Sequence, residues 1–169
     1  MNLVDFDKLP KVEEIQDVPL EDPLKVFKVC QEMEVVCDRE NGIGLSAVQV
    51  GIPWKLFIIK SDGSCPFIEK GKYGYFANTN YKATDNKLIV SLEGCLSIRS
   101  QDGQLRFFQV ERHNKVQITG QRLFFDNDLF FEDIDLEISA AEQGVVFQHE
   151  ADHHSAVLIS EIGKEVYIW

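Results

Sequence analysis

The residues best suited to chemistry lie in residues 148–153, where two histidines stand four positions apart. On an α-helix, residues i and i+4 share a face, so His149 and His153 could bind one metal ion from successive turns. Glu150 directly follows the first histidine, which suits a general base acting on metal-activated water. The same spacing also occurs in helices with an ordinary polar surface, so the interpretation requires a third ligand elsewhere in the chain.

Cys95 is the candidate for that third ligand. It follows Gly94, which permits a bend in the chain. Thiolate sulfur binds zinc and iron well, and two histidines with one cysteine leave a coordination position open for water. A lone cysteine is also commonly a small buried hydrophobic residue, which is the interpretation favoured for Cys30 and Cys37.

The first element that could position these residues is a helix that begins at Asp22, with Pro23 in its first turn. Apolar residues recur at helical spacing and predict a core-facing stripe that contains Val26, Cys30, Met33 and Cys37. The dipeptide Asn41-Gly42 predicts the end of this helix.

The middle of the chain has the alternation and composition of strands separated by short turns. Residues 111–114 predict a hairpin turn with a solvated His113, and Ser139 with Glu142 forms a capping box that starts the histidine-bearing helix. His154 is turned about 100° from His153 on that helix and is expected at the surface or rim. Residues 160–169 are expected to form a last strand. The earlier predicted strands are residues 54–59, 75–81, 87–92, 107–110, 115–119, 121–125 and 129–138.

Composition narrows the class of protein. The chain has 169 residues, 44% of them hydrophobic and 27% charged, which predicts one soluble domain over residues 1–169. A net charge of −11 disfavours nucleic acid as a direct partner. No apolar run is long enough for a membrane span, and residues 1–19 do not resemble a secretory signal. Four cysteines do not suggest a disulfide framework, so a cytoplasmic location is expected.

Three segments in this order resemble the motifs of the peptide deformylase family. They read GIGLSAVQ at residues 42–49, EGCLS at residues 93–97 and QHEADH at residues 148–153. The likeness covers most of residues 24–163. The chain departs from the family pattern at Ser46, Arg99, His154 and Ala156, and the loop over residues 100–108 looks longer than usual. These departures concern the rim of the expected pocket and do not touch the presumed ligands.

The resemblance implies an α+β fold, with antiparallel β-sheets around a central metal-binding helix. It implies removal of the formyl group from N-formylmethionyl peptides, with release of formate. Cys95, His149 and His153 would bind one divalent metal ion, with iron(II) as the native metal and zinc, nickel or cobalt also able to bind. Glu150 would act as the base, while the Gln49 amide and the Leu96 backbone N–H would stabilise the oxyanion.

The resemblance also implies that the substrate peptide adds as a strand along Ile43 and Gly44 and passes near Gly94. Val145 and Val146 would line an apolar pocket for the methionine side chain, although core packing explains these residues equally well. Asp152 and Arg112 are either partners that orient the site or members of an ion pair elsewhere. The chain shows no long basic C-terminal helix, so stable ribosome docking is not expected.

Two other functions remain open at this point. A metallopeptidase that cuts internal bonds is disfavoured because no further histidine or glutamate ligand follows at the usual spacing. A binding module that retains the fold without activity is disfavoured because it has no need for Glu150, Gln49 and the three ligands together.

Overall fold

The computed structural model describes residues 1–167 and contains two antiparallel sheets and three α-helices. The first sheet has the strand order β1-β2-β3-β6-β7, and the second has the order β4-β5-β8. This architecture confirms the predicted α+β class. In chain order the elements are α1 (Pro23–Arg39), β1 (Gly44–Ser46), β2 (Leu56–Lys60), β3 (Tyr73–Ala83), β4 (Leu88–Arg99), β5 (Leu105–His113), β6 (Lys115–Asp126), β7 (Asp128–Ser139), α2 (Gly144–Asp152), α3 (Ile159–Ile162) and β8 (Lys164–Val166).

Helix α1 begins as predicted. The Asp22 carboxylate accepts a hydrogen bond of 3.0 Å from the Lys25 backbone N–H, and Pro23 occupies the first turn. The apolar stripe is buried and packs with residues of β1 and β2 in one core cluster. Its buried members include both of the cysteines assigned to packing: Val26, Cys30, Met33, Val36 and Cys37.

The connection between β5 and β6 corrects the predicted hairpin turn. The two strands belong to different sheets, and the chain crosses from one sheet to the other at Asn114. His113 is therefore partly buried rather than solvated: its backbone N–H donates to Gln148 Oε1 at 2.9 Å, and its carbonyl accepts from Gln148 Nε2 at 3.0 Å. These bonds dock α2 against the crossover.

The two strands predicted over residues 115–125 form a single strand, β6. Gly120 continues the strand with a φ of +146°, a conformation that L side chains rarely adopt. A Cβ at this position would lie 2.8 Å from the Thr79 Cα, so the neighbouring strand β3 also requires a glycine here. Gly120 thus permits the close approach of β3 and β6, and it does not mark a turn between two strands.

The start of α2 and the environment of His154 differ from expectation. Ser139 donates its backbone N–H to Glu142 at 2.9 Å as the capping box predicts, but residues 140–142 form only a 3₁₀ turn. Gln143 then takes a φ of +67°, and α2 begins at Gly144. Because α2 ends at Asp152 and a 3₁₀ helix follows over His153–Ser155, the α-helical spacing does not extend to His154, which is buried against Phe57 at 5.4 Å between ring centroids.

Helix α2 lies between the sheets. It contacts β1, β2, β3 and β7 of the first sheet and β5 of the second. Phe147 fixes its apolar side, with its ring centroid 4.8 Å from that of Phe76 and 5.9 Å from that of Phe57. The opposite side of the helix is left for polar residues that face β4 and β5.

The last strand, β8, is shorter than the predicted tail strand and follows the short helix α3. Residues 168 and 169 of that prediction lie outside the described part of the chain. Among residues 1–167, none of the helices is long and apolar enough to cross a membrane.

Candidate metal centre and cleft

Cys95, His149 and His153 come together in the structure. One ligand atom from each lies within 4.8 Å of the others, and Cys95 Sγ is 3.6 Å from His153 Nε2. The three residues are 1%, 9% and 2% exposed. A thiolate with two imidazoles, shielded from bulk water, is a donor set that suits zinc, iron(II) and related divalent metals.

Cys95 faces inward by the regular alternation of β4, and an irregularity in the strand follows directly after it. Leu88 to Gly94 alternate between exposed and more buried positions, but Cys95 to Ile98 are all buried. The pairing register with β5 shifts between Gly94 and Arg99, so this stretch lies outside the regular ladder. Cys95 thus lies on the buried face of β4, with its Sγ atom 3.6 Å from Nε2 of His153, which directly follows α2.

Glu150 lies beside this centre and is 4% exposed. Burial raises the pKa of its carboxyl to about 7, and its Oε2 atom has no hydrogen-bond partner among the described residues. Gly44 permits the close approach of β1: a Cβ at this position would lie 2.5 Å from Glu150 Oε1. A carboxyl group with this pKa and a free oxygen can take and return a proton near neutral pH.

Glu93 is a site residue that the sequence interpretation left without a role. Its Oε2 accepts a hydrogen bond from His149 Nδ1 at 2.8 Å, which leaves the other ring nitrogen for a metal. Burial disfavours its charge, but hydrogen bonds from Arg112 and His149 lower the pKa of the Glu93 carboxyl to about 2. The available signal was its position in β4, two residues after Ser91 on the inward-facing side of the strand.

Arg112 and Asp152 form their ion pair at this site and not elsewhere in the chain. Arg112 also binds Glu93, the partner of His149. Arg112 donates to both oxygens of Glu93, at 2.8 and 2.9 Å, and to Asp152 Oδ2 at 2.5 Å. The Arg112 side chain is only 2% exposed. Burial alone would lower the pKa of the guanidinium, but its bonds to Glu93 raise it.

Gln49 is buried and its amide points toward Cys95. Its Oε1 accepts the Ser46 backbone N–H at 2.8 Å, which fixes which end of the amide faces the site. Its Nε2 lies 3.2 Å from Ser97 Oγ and 3.4 Å from Cys95 Sγ. Gln49 is therefore buried in the site and does not lie at the surface, where a single glutamine is usually found.

A cavity of about 330 Å³ opens over Glu150 and His149. Cys95 and His153 are not among its lining residues and lie beneath it. Its lining also contains three apolar residues that the sequence interpretation did not select: Leu92, Leu105 and Phe107. All the residues predicted to contact substrate line it, and so do all three residues predicted to act in catalysis: Ile43, Gly44, Gly94, Val145, Val146, Gln49, Leu96 and Glu150.

Comparison with known sequences identifies the family. The sequence profile described as polypeptide deformylase matches residues 9–165. The chain is 31% identical over 156 residues to chloroplastic peptide deformylase 1A of Solanum lycopersicum, and 32% identical over 118 residues to peptide deformylase of Maricaulis maris. These alignments cover 85% and 70% of this chain, but only 52% and 59% of the two relatives. The chain belongs to the polypeptide deformylase family.

Solved structures show the same fold. A class I type b peptide deformylase from Acinetobacter baumannii superimposes with a TM-score of 0.75 at 20% identity, over 96% of this chain and 98% of that one. A structure of the A. baumannii enzyme with Met-Ala-Ser bound gives a TM-score of 0.73, also at 20% identity, over 95% and 97%. A variant of Arabidopsis thaliana peptide deformylase 1B gives 0.72 at 25% identity, over 96% and 80%.

Proposed function

We propose that this protein is a metal-dependent hydrolase that removes the formyl group from N-formylmethionyl peptides and releases formate. The observation that carries this proposal is the Cys95–His149–His153 donor set, which lies next to a buried Glu150 at the base of an apolar cleft. Membership in the deformylase family supports the choice of formylmethionyl peptides among possible amide substrates.

Cys95, His149 and His153 would hold one divalent metal ion. Iron(II) is proposed as the native metal, and the same soft and borderline donors also accept zinc, nickel or cobalt. When bound, the metal supplies a Lewis acid that polarises the formyl carbonyl and makes water acidic enough to ionise near neutral pH. Glu93 holds His149 from behind and so fixes the ring orientation that binding requires.

Glu150 is proposed to take the proton of the attacking water and to deliver it to the leaving amine. Its unpartnered Oε2 and its pKa of about 7 support both steps, because the group accepts and returns a proton at little cost near neutrality. The Gln49 amide and the Leu96 N–H are proposed to donate to the developing oxyanion. The orientation of Gln49 and the position of Leu96 in the β4 bulge support this role.

The substrate is proposed to lie as an extended strand along Ile43 and Gly44, with Gly94 on the other side of the cleft. Val145 and Val146 would contact the methionine side chain where they line the cavity. The Met-Ala-Ser complex of the A. baumannii protein, which shares the fold, supports a peptide that begins with methionine as the ligand.

The cysteines, the family match and the net charge bear on the cellular setting. All four cysteines are free thiols, which supports a reducing cytoplasm. The family match over residues 9–165 supports one catalytic domain, and the net charge of −11 argues against nucleic acid as a direct partner.

The decisive test is Glu150→Gln, measured by formate release from formyl-Met-Ala-Ser and by metal content of the same sample. We expect the variant to retain one metal per chain and to lose activity by about 10²–10⁴-fold, the usual contribution of a general base. Glu132→Gln, an exposed change on β7, is the matched control and should retain full activity. Near-normal formate release by Glu150→Gln would show that another group is the base.

The same assay separates the other functions. A wild-type protein that holds metal but releases no formate would indicate a binding module. A Cys95→Asp variant that keeps metal and cleaves internal peptide bonds would indicate a metallopeptidase.

A further inference from the structure

A buried series of hydrogen-bonded charged side chains lies near the metal centre, and the residues at its far end have no role in the proposed mechanism. It runs from His149 through Glu93 and Arg112 to Asp152, the last residue of α2. The Tyr81 hydroxyl then donates to Asp152 Oδ1 at 2.7 Å. Each link is a direct hydrogen bond between side chains, so displacement at one end is transmitted to the next group.

We propose that Tyr81 is a positioning residue that holds the metal ligand His149 in place through Asp152, Arg112 and Glu93. This inference rests on the proposed metal site. Tyr81 lies on β3 of the first sheet, whereas Glu93 and Arg112 lie on β4 and β5 of the second. The tyrosine therefore ties the ligand-orienting groups of one sheet to the backbone of the other.

The charge balance explains why a neutral donor is needed at this end. Glu93 and Asp152 are two carboxylates that share one guanidinium, so each competes for Arg112. A hydroxyl donor satisfies the second oxygen of Asp152 without adding charge. Without it, Asp152 would draw more strongly on Arg112 or turn toward solvent, since its side chain is 13% exposed. Either movement loosens the hold of Arg112 on Glu93, and hence of Glu93 on His149.

The state of the tyrosine agrees with this role. Burial, and then the neighbouring Asp152 carboxylate, raise the pKa of the Tyr81 hydroxyl well above its ordinary value, so it stays protonated and donates. The Tyr81 ring lies 6.5 Å from the His113 ring, in an edge arrangement, which restricts the hydroxyl to one side of the strand.

The same strand supplies a matched control. Tyr75, also on β3, donates its hydroxyl to Glu34 of α1 at 2.5 Å. Both tyrosines are partly buried, and each ties β3 to a helix through one carboxylate. Only the carboxylate of Asp152 continues to a metal ligand. Removal of either hydroxyl should cost similar stability, whereas the metal should respond to one of them alone.

The test compares Tyr81→Phe with Tyr75→Phe in cobalt(II)-loaded protein, with the thiolate–cobalt absorption followed after addition of excess EDTA. We expect cobalt to leave Tyr81→Phe about tenfold faster than wild type, at the low end of the range of about 10–100-fold found when the direct partner of a metal ligand, here Glu93, is changed. Tyr75→Phe should lose cobalt at a rate within about twofold of the wild-type rate. Its thermal unfolding midpoint should nevertheless fall by as much as that of Tyr81→Phe. Equal release rates in the two variants would overturn the inference.

A second variant tests the route. In an Asp152→Asn background the ion pair with Arg112 is removed, so adding Tyr81→Phe should change cobalt release by less than about twofold. A tenfold effect that persists in this background would show that Tyr81 acts by another path and would refute the proposed chain.

Formate release measured on the same cobalt-loaded wild-type sample separates this inference from the proposed function. Retention of cobalt without formate release would refute the function, while the release rates still decide the role of Tyr81. Formate release with equal cobalt loss from both tyrosine variants would refute the role of Tyr81 alone. A wild-type protein that binds no cobalt would refute both.

Discussion

Two ion pairs, each joining neighbouring antiparallel strands, lie in opposite environments. Arg112 on β5 binds Glu93 on β4 at 2.8 Å, with side chains 2% and 6% exposed. Lys115 on β6 binds Glu137 on β7 at 3.1 Å, with side chains 47% and 53% exposed. The pairs differ in their offset along the strands, since Arg112 lies opposite Ile89 and Glu137 lies opposite Gln117, and they also differ in burial and in the number of further partners.

The comparison teaches what each pair contributes. An exposed pair is screened by water and salt and contributes little to folding. A buried pair loses its hydration, and its mutual attraction can do little more than offset that loss, although removing one partner alone is costly. The buried pair is thus better explained by its role in holding the His149 ring, through Glu93, than by a gain in net stability.

Arg112→Ala should have the largest effect on stability. The change leaves Glu93 and Asp152 as two buried or half-buried carboxylates without their shared cation, and the expected loss is about 3–5 kcal/mol in the free energy of unfolding. Urea denaturation of the metal-loaded protein measures it. Arg106→Ala is the control, because Arg106 lies on the same strand and binds both oxygens of Glu165 at 2.7 Å, with a side chain 38% exposed.

The control should lose much less free energy of unfolding than Arg112→Ala, because water screens the exposed pair. If both arginine variants lost the same free energy, burial would not be what distinguishes the two kinds of pair.

Glu93→Gln should weaken metal binding as well as the fold. The amide still offers an oxygen to His149, but it lacks the charge that favours the required ring tautomer and binds Arg112. We expect metal affinity to fall by about 10–100-fold, measured by competition with a chelator. Glu137→Gln is the control and should bind metal as the wild type does, since Glu137 contacts Lys115 on the exposed face.

Acid should erase the stability that Glu93 contributes. Hydrogen bonds lower the pKa of this carboxyl from 4.5 to about 2, so its contribution is complete above pH 4.5 and is lost as the pH falls toward 2. The difference in unfolding free energy between wild type and Glu93→Gln should therefore shrink over this interval. A difference that grew with acid would contradict the assigned direction of the shift.

The candidate ligands could be selected from the sequence because each lies in a short local motif. His149, Glu150 and His153 lie within one helical turn and its end, and Cys95 follows the glycine of a short motif. The start of α1 was equally local, since Asp22 and Pro23 act within the first turn.

The remaining features depend on contacts between distant segments. The bond of Tyr81 to Asp152 joins residues 71 positions apart, and the bond of His149 to Glu93 joins residues 56 apart. The prediction of a hairpin turn at residues 111–114 was wrong because a turn sequence does not show which sheet the next strand joins. His154 was misplaced because periodicity assumes that a helix continues, whereas α2 ends at Asp152.

Lys115→Ala should have the smallest effect. It removes the exposed partner of Glu137, which lies on the edge strand β7, and the expected loss in unfolding free energy is small because water screens the pair. Because both side chains are well hydrated, most of that loss should disappear in 1 M salt, where the screening length falls to about 3 Å. Denaturation of wild type and Lys115→Ala at low and high salt checks this. A loss as large as that of Arg112→Ala, or one that salt leaves unchanged, would mean that exposure does not separate the two pairs.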